Sequence, residues 1–234
     1  MKGEVVIITG AGKGIGKEIA LGFAKEGATV ALCARTLNSI KNVETEIKEK
    51  GGEAVALVCD VGIEKEVEKL IYKVSEISGR INVLVNNAGV AFVGPVSHFD
   101  TSKWEETLRV NLTAAFLVTK HALKFMHEGS HIFNIASNAA KIGFPNWSAY
   151  CASKFGLLGF TNSLREELRG VGIKVTAIIP GPTDTPIWDE IPGNWDRKKM
   201  IRPQDIAATV VNIYKQSKET LTEEVVIMPV GGAL

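Results

Sequence analysis

Short apolar runs rich in β-branched residues alternate along this chain with longer amphipathic stretches, and that alternation restricts the fold more than any other feature. Residues 5–8 (Val-Val-Ile-Ile) have the signature of a strand buried on both faces. Similar runs recur at 29–33, 54–59, 81–85, 131–136, 174–179 and 225–228. Between them lie helical patterns at 15–26, 37–50, 64–78, 102–126, 147–169 and 203–215. Gly27 and the pair Gly51-Gly52 stop the first two of these helices. Strands alternating with helices build βαβ units, hence a parallel sheet covered on both faces. The expected architecture is one α/β domain over 1–234: a doubly wound, seven-stranded parallel sheet of the Rossmann type.

Composition removes several function classes. The charge is +1, from 27 Lys and Arg against 26 Asp and Glu, so no basic stripe for nucleic acid and no polybasic membrane anchor is expected. No apolar run approaches the ~18 residues of a transmembrane helix. The opening Met1-Lys2-Gly3-Glu4 and four apolar residues after it are too few for a signal peptide. Cys33, Cys59 and Cys151 are odd in number and widely spaced, which reads as reduced thiols in a cytoplasmic protein. His98, His121, His127 and His131 show no metal-ligand spacing, and no metal is expected.

Residues 9–16, Thr-Gly-Ala-Gly-Lys-Gly-Ile-Gly, stand between the first strand and the first helix. Glycine permits positive φ and close backbone approach, and a helix N-terminus offers free N–H donors and a positive dipole end to a pyrophosphate. The spacing is Gly-x-x-x-Gly-x-Gly, not the Gly-x-Gly-x-x-Gly of ordinary dehydrogenases. The second strand ends at Ala34-Arg35, where an acid would hold the ribose 2′-hydroxyl of NAD. Arg35 instead suits a 2′-phosphate, and Lys13 adds a second cation, so NADP(H) is expected over NAD(H).

Tyr150 and Lys154 stand at i and i+4, on one face of a helix. A tyrosine has a pKa of about 10. A lysine cation at ~5 Å, in an effective dielectric of ~20, is worth roughly 3 kcal/mol, or about two pKa units. The pair is therefore expected to give a phenol able to exchange a proton. Alone, such a pair is also what solvated helix surfaces carry.

Five motifs in chain order supply the context: residues 9–16, Asn86-Asn87-Ala88-Gly89, Ser137, Tyr150-Cys151-Ala152-Ser153-Lys154 and Pro180-Gly181. Together they resemble the short-chain dehydrogenase/reductase family across essentially the whole chain, near its 3-oxoacyl-carrier-protein reductase and carbonyl reductase branch. The resemblance implies that Tyr150 is the general acid or base, that Ser137 orients the carbonyl oxygen, and that Lys154 binds the nicotinamide ribose and acidifies Tyr150. It implies that Asn111 holds a water relaying protons to Lys154. For the cofactor it implies contacts from Gly10, Gly12, Lys13, Gly14, Ile15, Gly16 and Arg35. Further contacts would come from Asp60, Val61, Asn87, Ala88, Gly89, Pro180, Gly181, Thr183 and Thr185, with Tyr150 and Lys154 at the nicotinamide end. Asp60 is equally suited to capping the following helix.

The family places a substrate lid at about 183–200, and here that stretch carries Trp188 and Trp195. Phe92, Phe144 and Trp147 follow motif loops and are expected in the same pocket. Cys151, beside Tyr150, is expected to pack and not to react. The expected activity is NADP(H)-dependent interconversion of a ketone or 3-oxoacyl carbonyl and a secondary alcohol, on a small and hydrophobic substrate. A strictly carrier-protein-linked reductase and a cofactor-sensing protein without turnover are the alternatives. Thr222-Glu223-Glu224 replaces the glycine-rich approach to the last strand typical of the oxoacyl reductases, which weakens the first of these. The resemblance also implies a homodimer or homotetramer.

Overall fold

The computed structural model describes residues 1–232. Seven strands form one parallel sheet: β1 (Val5–Thr9), β2 (Thr29–Ala34), β3 (Glu53–Val58), β4 (Val83–Asn86), β5 (His131–Ile135), β6 (Lys174–Pro180) and β7 (Glu224–Ile227). Their spatial order is β3-β2-β1-β4-β5-β6-β7, all neighbours parallel. The expected Rossmann-like fold in a single domain is therefore the one observed. Between the strands run α1 (Gly14–Lys25), α2 (Leu37–Glu49), α3 (Glu64–Ser78), α4 (Thr101–Leu108), α5 (Ala114–Ala122), α6 (Ser148–Arg169) and α7 (Pro203–Tyr214).

Alternation along β1 explains the two-sided packing. Val6 and Ile8 meet Ile19, Phe23, Ile40 and Val210 of α1, α2 and α7 on one face. Val5 and Ile7 meet Ile71, Val74, Val118 and Leu164 of α3, α5 and α6 on the other. The central strands β1, β4 and β5 are fully buried, which is why they are dominated by apolar residues on both faces. Strand order reverses between β1 and β4, so the crevice beyond their C-terminal ends is where a fold of this type takes a ligand. Among the described residues no helix is long and apolar enough to cross a membrane.

The largest departure from expectation falls in the helix foreseen over 102–126. It is broken into α4 and α5 by a π turn at Arg109–Thr113. One residue too many in the helical ladder turns Asn111 inward, where it is 2% exposed and its amide is bonded on both sides. Buried hydrogen bonds offset the distorted turn, a gain that periodicity cannot register. The fourth strand also starts later than expected. Ile81 and Asn82 donate to Phe125 and Val5 carbonyls before the ladder begins.

His131, on β5, lies in the core stacked on Phe133 at 4.0 Å. The Thr176 hydroxyl donates to the Thr222 carbonyl, so it accepts from His131 Nε2 at 2.8 Å, which fixes Nε2 as a protonated ring nitrogen. Burial, aided by the Lys174 charge, drops its pKa from 6.5 to about 3. Below its ordinary pKa the unfolded chain takes up a proton that the folded one refuses, so folding loses stability as pH falls. From pH 6.5 to 5 this loss should approach about 1.4 kcal/mol per pH unit. Urea unfolding should show that slope, and His131→Leu should flatten it; an unchanged slope would mean the imidazole is not the group responsible.

Candidate active site

Residues 9–13 cross from β1 to α1 with Gly10 and Gly14 in the left-handed region, at φ +65° and +56°. A Cβ on Gly10 would lie 2.9 Å from the Ala88 Cα, and one on Gly12 would overlap the Ser39 hydroxyl. The turn is held from the neighbouring strand. Asn87 Nδ2 donates to the Thr9 and Gly10 carbonyls at 2.9 and 3.2 Å, and the Thr9 hydroxyl accepts from the Asn87 and Ala88 N–H groups. Gly16 lies behind this clasp, where a Cβ would overlap the Asn87 amide and the Gly10 carbonyl. Close packing here requires a residue without a side chain.

No side chain caps α1, and its first turn holds no acid. The free N–H groups and positive dipole end fit a pyrophosphate. A cleft of about 530 Å³ runs from this turn, with Arg35, Asp60 and Val61 at one end and Ser137, Tyr150 and Lys154 at the other. Gly10, Gly12, Lys13, Gly14, Ile15, Asn87, Ala88, Gly89, Pro180, Gly181, Thr183 and Thr185 line it between. Those residues fit an elongated dinucleotide. Of the expected site, only Gly16 and Asn111 stand outside this wall.

At the β2 end, Arg35 is exposed and lies 3.6 Å from the Glu106 carboxylate, a loose pair that leaves the guanidinium available. Ser39 and Thr36 complete this wall, and motif reading missed both. The signal was present: hydroxyl residues stand at the start of α2, whose first turn also lacks a side-chain cap. Asp60 is already engaged, accepting from the Gly62 N–H at 2.9 Å and from Arg109 at 3.1 Å. Burial works against its ionisation, but these two partners prevail and hold the carboxyl below its ordinary value. It braces the turn before α3 and does not cap the helix, whose N-cap position is Ile63.

At the other end the Lys154 ammonium stands 5.6 Å from the Tyr150 ring centroid and donates to the Ile135 carbonyl at 2.9 Å. Burial lowers the lysine pKa to about 8. Burial raises that of Tyr150, the neighbouring Ser137 hydroxyl draws it down, and Cys151 adds a smaller push upward. The net direction is up, because burial outweighs the Ser137 contact. Ser137 also accepts from the Ala139 N–H at 3.2 Å, so one hydroxyl both caps a turn and neighbours the phenol.

The Asn111 side-chain amide is engaged by the protein at both its oxygen and its nitrogen. Its Nδ2 donates to the Val90 carbonyl at 2.9 Å and the Ser153 hydroxyl at 3.0 Å, and its Oδ1 accepts from the Val90 N–H. Ser153 in turn donates to the Tyr150 carbonyl. The amide therefore ties the loop after β4 to the helix turn bearing the tyrosine.

Aromatic rings cover the Tyr150 end. Trp147 meets Tyr150 edge-on at 5.5 Å, Trp188 lies 6.0 Å from Trp147, and Trp195 lies 4.8 Å from Trp188. Phe144 lines the cleft as expected, whereas Phe92 does not and sits beneath Lys103. The Cys151 thiol points to the Ile142 carbonyl. Among the described residues no group of three His, Cys, Asp or Glu could hold a metal ion.

A doubly wound sheet with an uncapped, glycine-led helix at its switch point defines a dinucleotide-binding domain. Comparison with known proteins narrows it. The sequence matches the family profile described as short chain dehydrogenase over residues 4–194. A sepiapterin reductase of Chlorobaculum tepidum is 34% identical over 239 residues, covering 98% of this chain and 97% of that protein. A putative ketoacyl reductase of Streptomyces coelicolor is 41% identical over 188 residues, covering 79% and 72% respectively. A metagenomic short-chain oxidoreductase solved in complex with NADP has a TM-score of 0.86 at 33% identity, covering 98% of this chain and 99% of that one. The chain belongs to the short-chain dehydrogenase/reductase family of oxidoreductases.

The lowered pKa of Lys154 has a thermodynamic consequence that can be measured without nucleotide. Between about 8 and 10.5 the unfolded chain holds a proton that the folded chain has released, so stability should rise with pH across that window. Urea unfolding at pH 7.5 and 9.5 should show a gain of about 1–2 kcal/mol. Lys154→Met should lose that gain; an equal gain in the variant would place its origin elsewhere.

Proposed function

We propose that this protein is an NADP(H)-dependent oxidoreductase that interconverts a carbonyl, ketone or 3-oxoacyl, and a secondary alcohol. The observation that carries the reading is the convergence of Ser137, Tyr150 and Lys154 at one end of a cleft whose other end holds Arg35 and an uncapped helix. Gly12, Lys13, Gly14 and Ile15 would hold the pyrophosphate, Arg35 with Ser39 and Thr36 a 2′-phosphate, and Lys154 with Thr183 the nicotinamide half. The nucleotide supplies hydride to the substrate carbon, or accepts it in the reverse direction.

The chain's own residues handle the proton. Tyr150 donates its hydroxyl proton to the carbonyl oxygen while Ser137 donates a hydrogen bond to the same oxygen and opposes the charge developing there. The phenolate left behind needs a cation beside it. Lys154, protonated at neutral pH with a pKa of about 8, is placed to meet that charge. At roughly 5–6 Å and an effective dielectric of ~20 the attraction is worth about 3 kcal/mol, and it operates only as the proton leaves. Further acceptors at the Lys154 Nζ, such as ribose hydroxyls, would hold the ammonium charged to higher pH.

The sepiapterin reductase relative, matched over nearly its whole length, supports a general carbonyl reductase. The putative ketoacyl reductase supports the 3-oxoacyl alternative. Buried reduced thiols at Cys33, Cys59 and Cys151 support a cytoplasmic setting. Exposed Trp104, Phe116 and Phe155 along α4, α5 and α6 support a homodimer or homotetramer joined through those helices.

NADPH oxidation followed with a panel of ketones tests the reading. Tyr150→Phe should lower kcat by about 10²–10⁴-fold while still binding NADPH, and a variant retaining most of its turnover would remove the proton donor from the scheme. Arg35→Asp should raise the KM for NADPH far more than that for NADH; equal changes would undo the phosphate assignment.

A further inference from the structure

The surroundings of Tyr150 say more about the substrate than its apolarity. Its ring, Trp147, Trp188 and Trp195 form one unbroken series with centroid separations of 5.5, 6.0 and 4.8 Å. All four rings line the cleft, and all remain half-buried. Partly exposed indoles in a concave wall leave a large, rigid apolar surface uncovered, an arrangement that a ligand completes.

Their orientation is set by the protein and not left to the ligand. Trp188 Nε1 donates to the Thr183 carbonyl at 2.9 Å and Trp195 Nε1 to the Ile191 carbonyl at 3.2 Å. With both of these indole N–H groups satisfied, Trp188 and Trp195 have no donor left and offer the cavity ring surface alone. The backbone carrying them is braced by Arg197, which binds the Asp184 carboxylate, the Asp189 carboxylate at 2.8 Å and the Thr185 carbonyl at 2.9 Å. Two carboxylates pair with that guanidinium, so it offers a ligand no free cation. The charged residues lining the cleft are Lys13, Arg35, Asp60 and Lys154; the first three lie toward the nucleotide end and the last beneath Tyr150.

We propose that the substrate is an uncharged ketone whose carbonyl is borne on or next to a planar aromatic or heteroaromatic ring, and that Trp147 and Trp188 determine this specificity by ring stacking. The inference rests on the carbonyl-reductase reading above and deepens it. In the reaction the C=O π bond is lost, carbon gains hydride, oxygen gains the Tyr150 proton, and a reduced nicotinamide nucleotide is oxidised. A flexible alkyl chain could fill the same volume but would lose rotamer freedom against these walls and gain none of the ring–ring geometry. A ring arrives already rigid and meets faces already fixed.

Two β-keto esters differing in one substituent test this: ethyl benzoylacetate and ethyl 3-oxohexanoate, with NADPH as reductant and diacetyl as a small ringless control. For the wild-type protein kcat/KM should favour the phenyl ester by about tenfold or more. Trp188→Leu and Trp147→Leu should bring the ratio to within about threefold of unity, and Trp188→Phe should preserve most of it. Saturation-transfer NMR with NADP⁺ present, where no reduction occurs, should show the strongest transfer to the phenyl protons and its loss in Trp188→Leu. A wild-type ratio near one, or a ratio that survives Trp188→Leu, overturns the ring proposal. So does reduction of diacetyl with neither ester accepted. Failure of NADPH oxidation with all three compounds removes the parent reading and this one with it.

Discussion

The clasp between the ends of β1 and β4 is the constraint on which the rest of this protein depends. The Thr9 hydroxyl and the Asn87 amide bind across the point where strand order reverses, and between them they satisfy five backbone groups. That clasp sets the depth of the glycine turn, and the turn sets where the uncapped end of α1 points. A side chain at Gly16 would collide with the clasp itself. The loop after β4 continues to Val90, where Asn111 grips it from the π turn. Both halves of the cleft are thus anchored to one strand end.

Burial governs the chemistry at the other end. A lysine inside a protein loses much of its preference for charge, and Lys154 has moved down to about 8, still protonated at neutral pH. A buried phenol moves the opposite way. The two shifts together leave a neutral phenol beside a cation at neutral pH. This is a less costly arrangement than a permanently buried ion pair, whose desolvation can exceed its attraction.

The segment over the site follows the same logic of fixed surfaces. Arg197 gathers two carboxylates and a carbonyl, which organises a stretch rich in Pro, Gly and Trp that has little regular structure of its own. Contact between its root and the glycine turn, where Thr185 packs on Gly14, joins the substrate end to the nucleotide end.

By itself the sequence determined the class of fold, the single domain and the chain positions of the functional loops. Those properties come from local periodicity and from glycine, whose conformational range is a property of the residue alone. Five motifs at strand ends sufficed to pick out Tyr150, Lys154, Ser137 and most of the cleft wall. Tertiary structure alone decided how each group behaves there. Asn111 turned inward because a π turn bought it three buried hydrogen bonds, and Lys154 lost basicity because α6 packs it beneath the sheet end. Asp60 was taken by Gly62 and Arg109, and Phe92 by Lys103, through contacts between segments far apart in the chain. Burial and partnership are properties of assembled surroundings, and no one-dimensional pattern contains them.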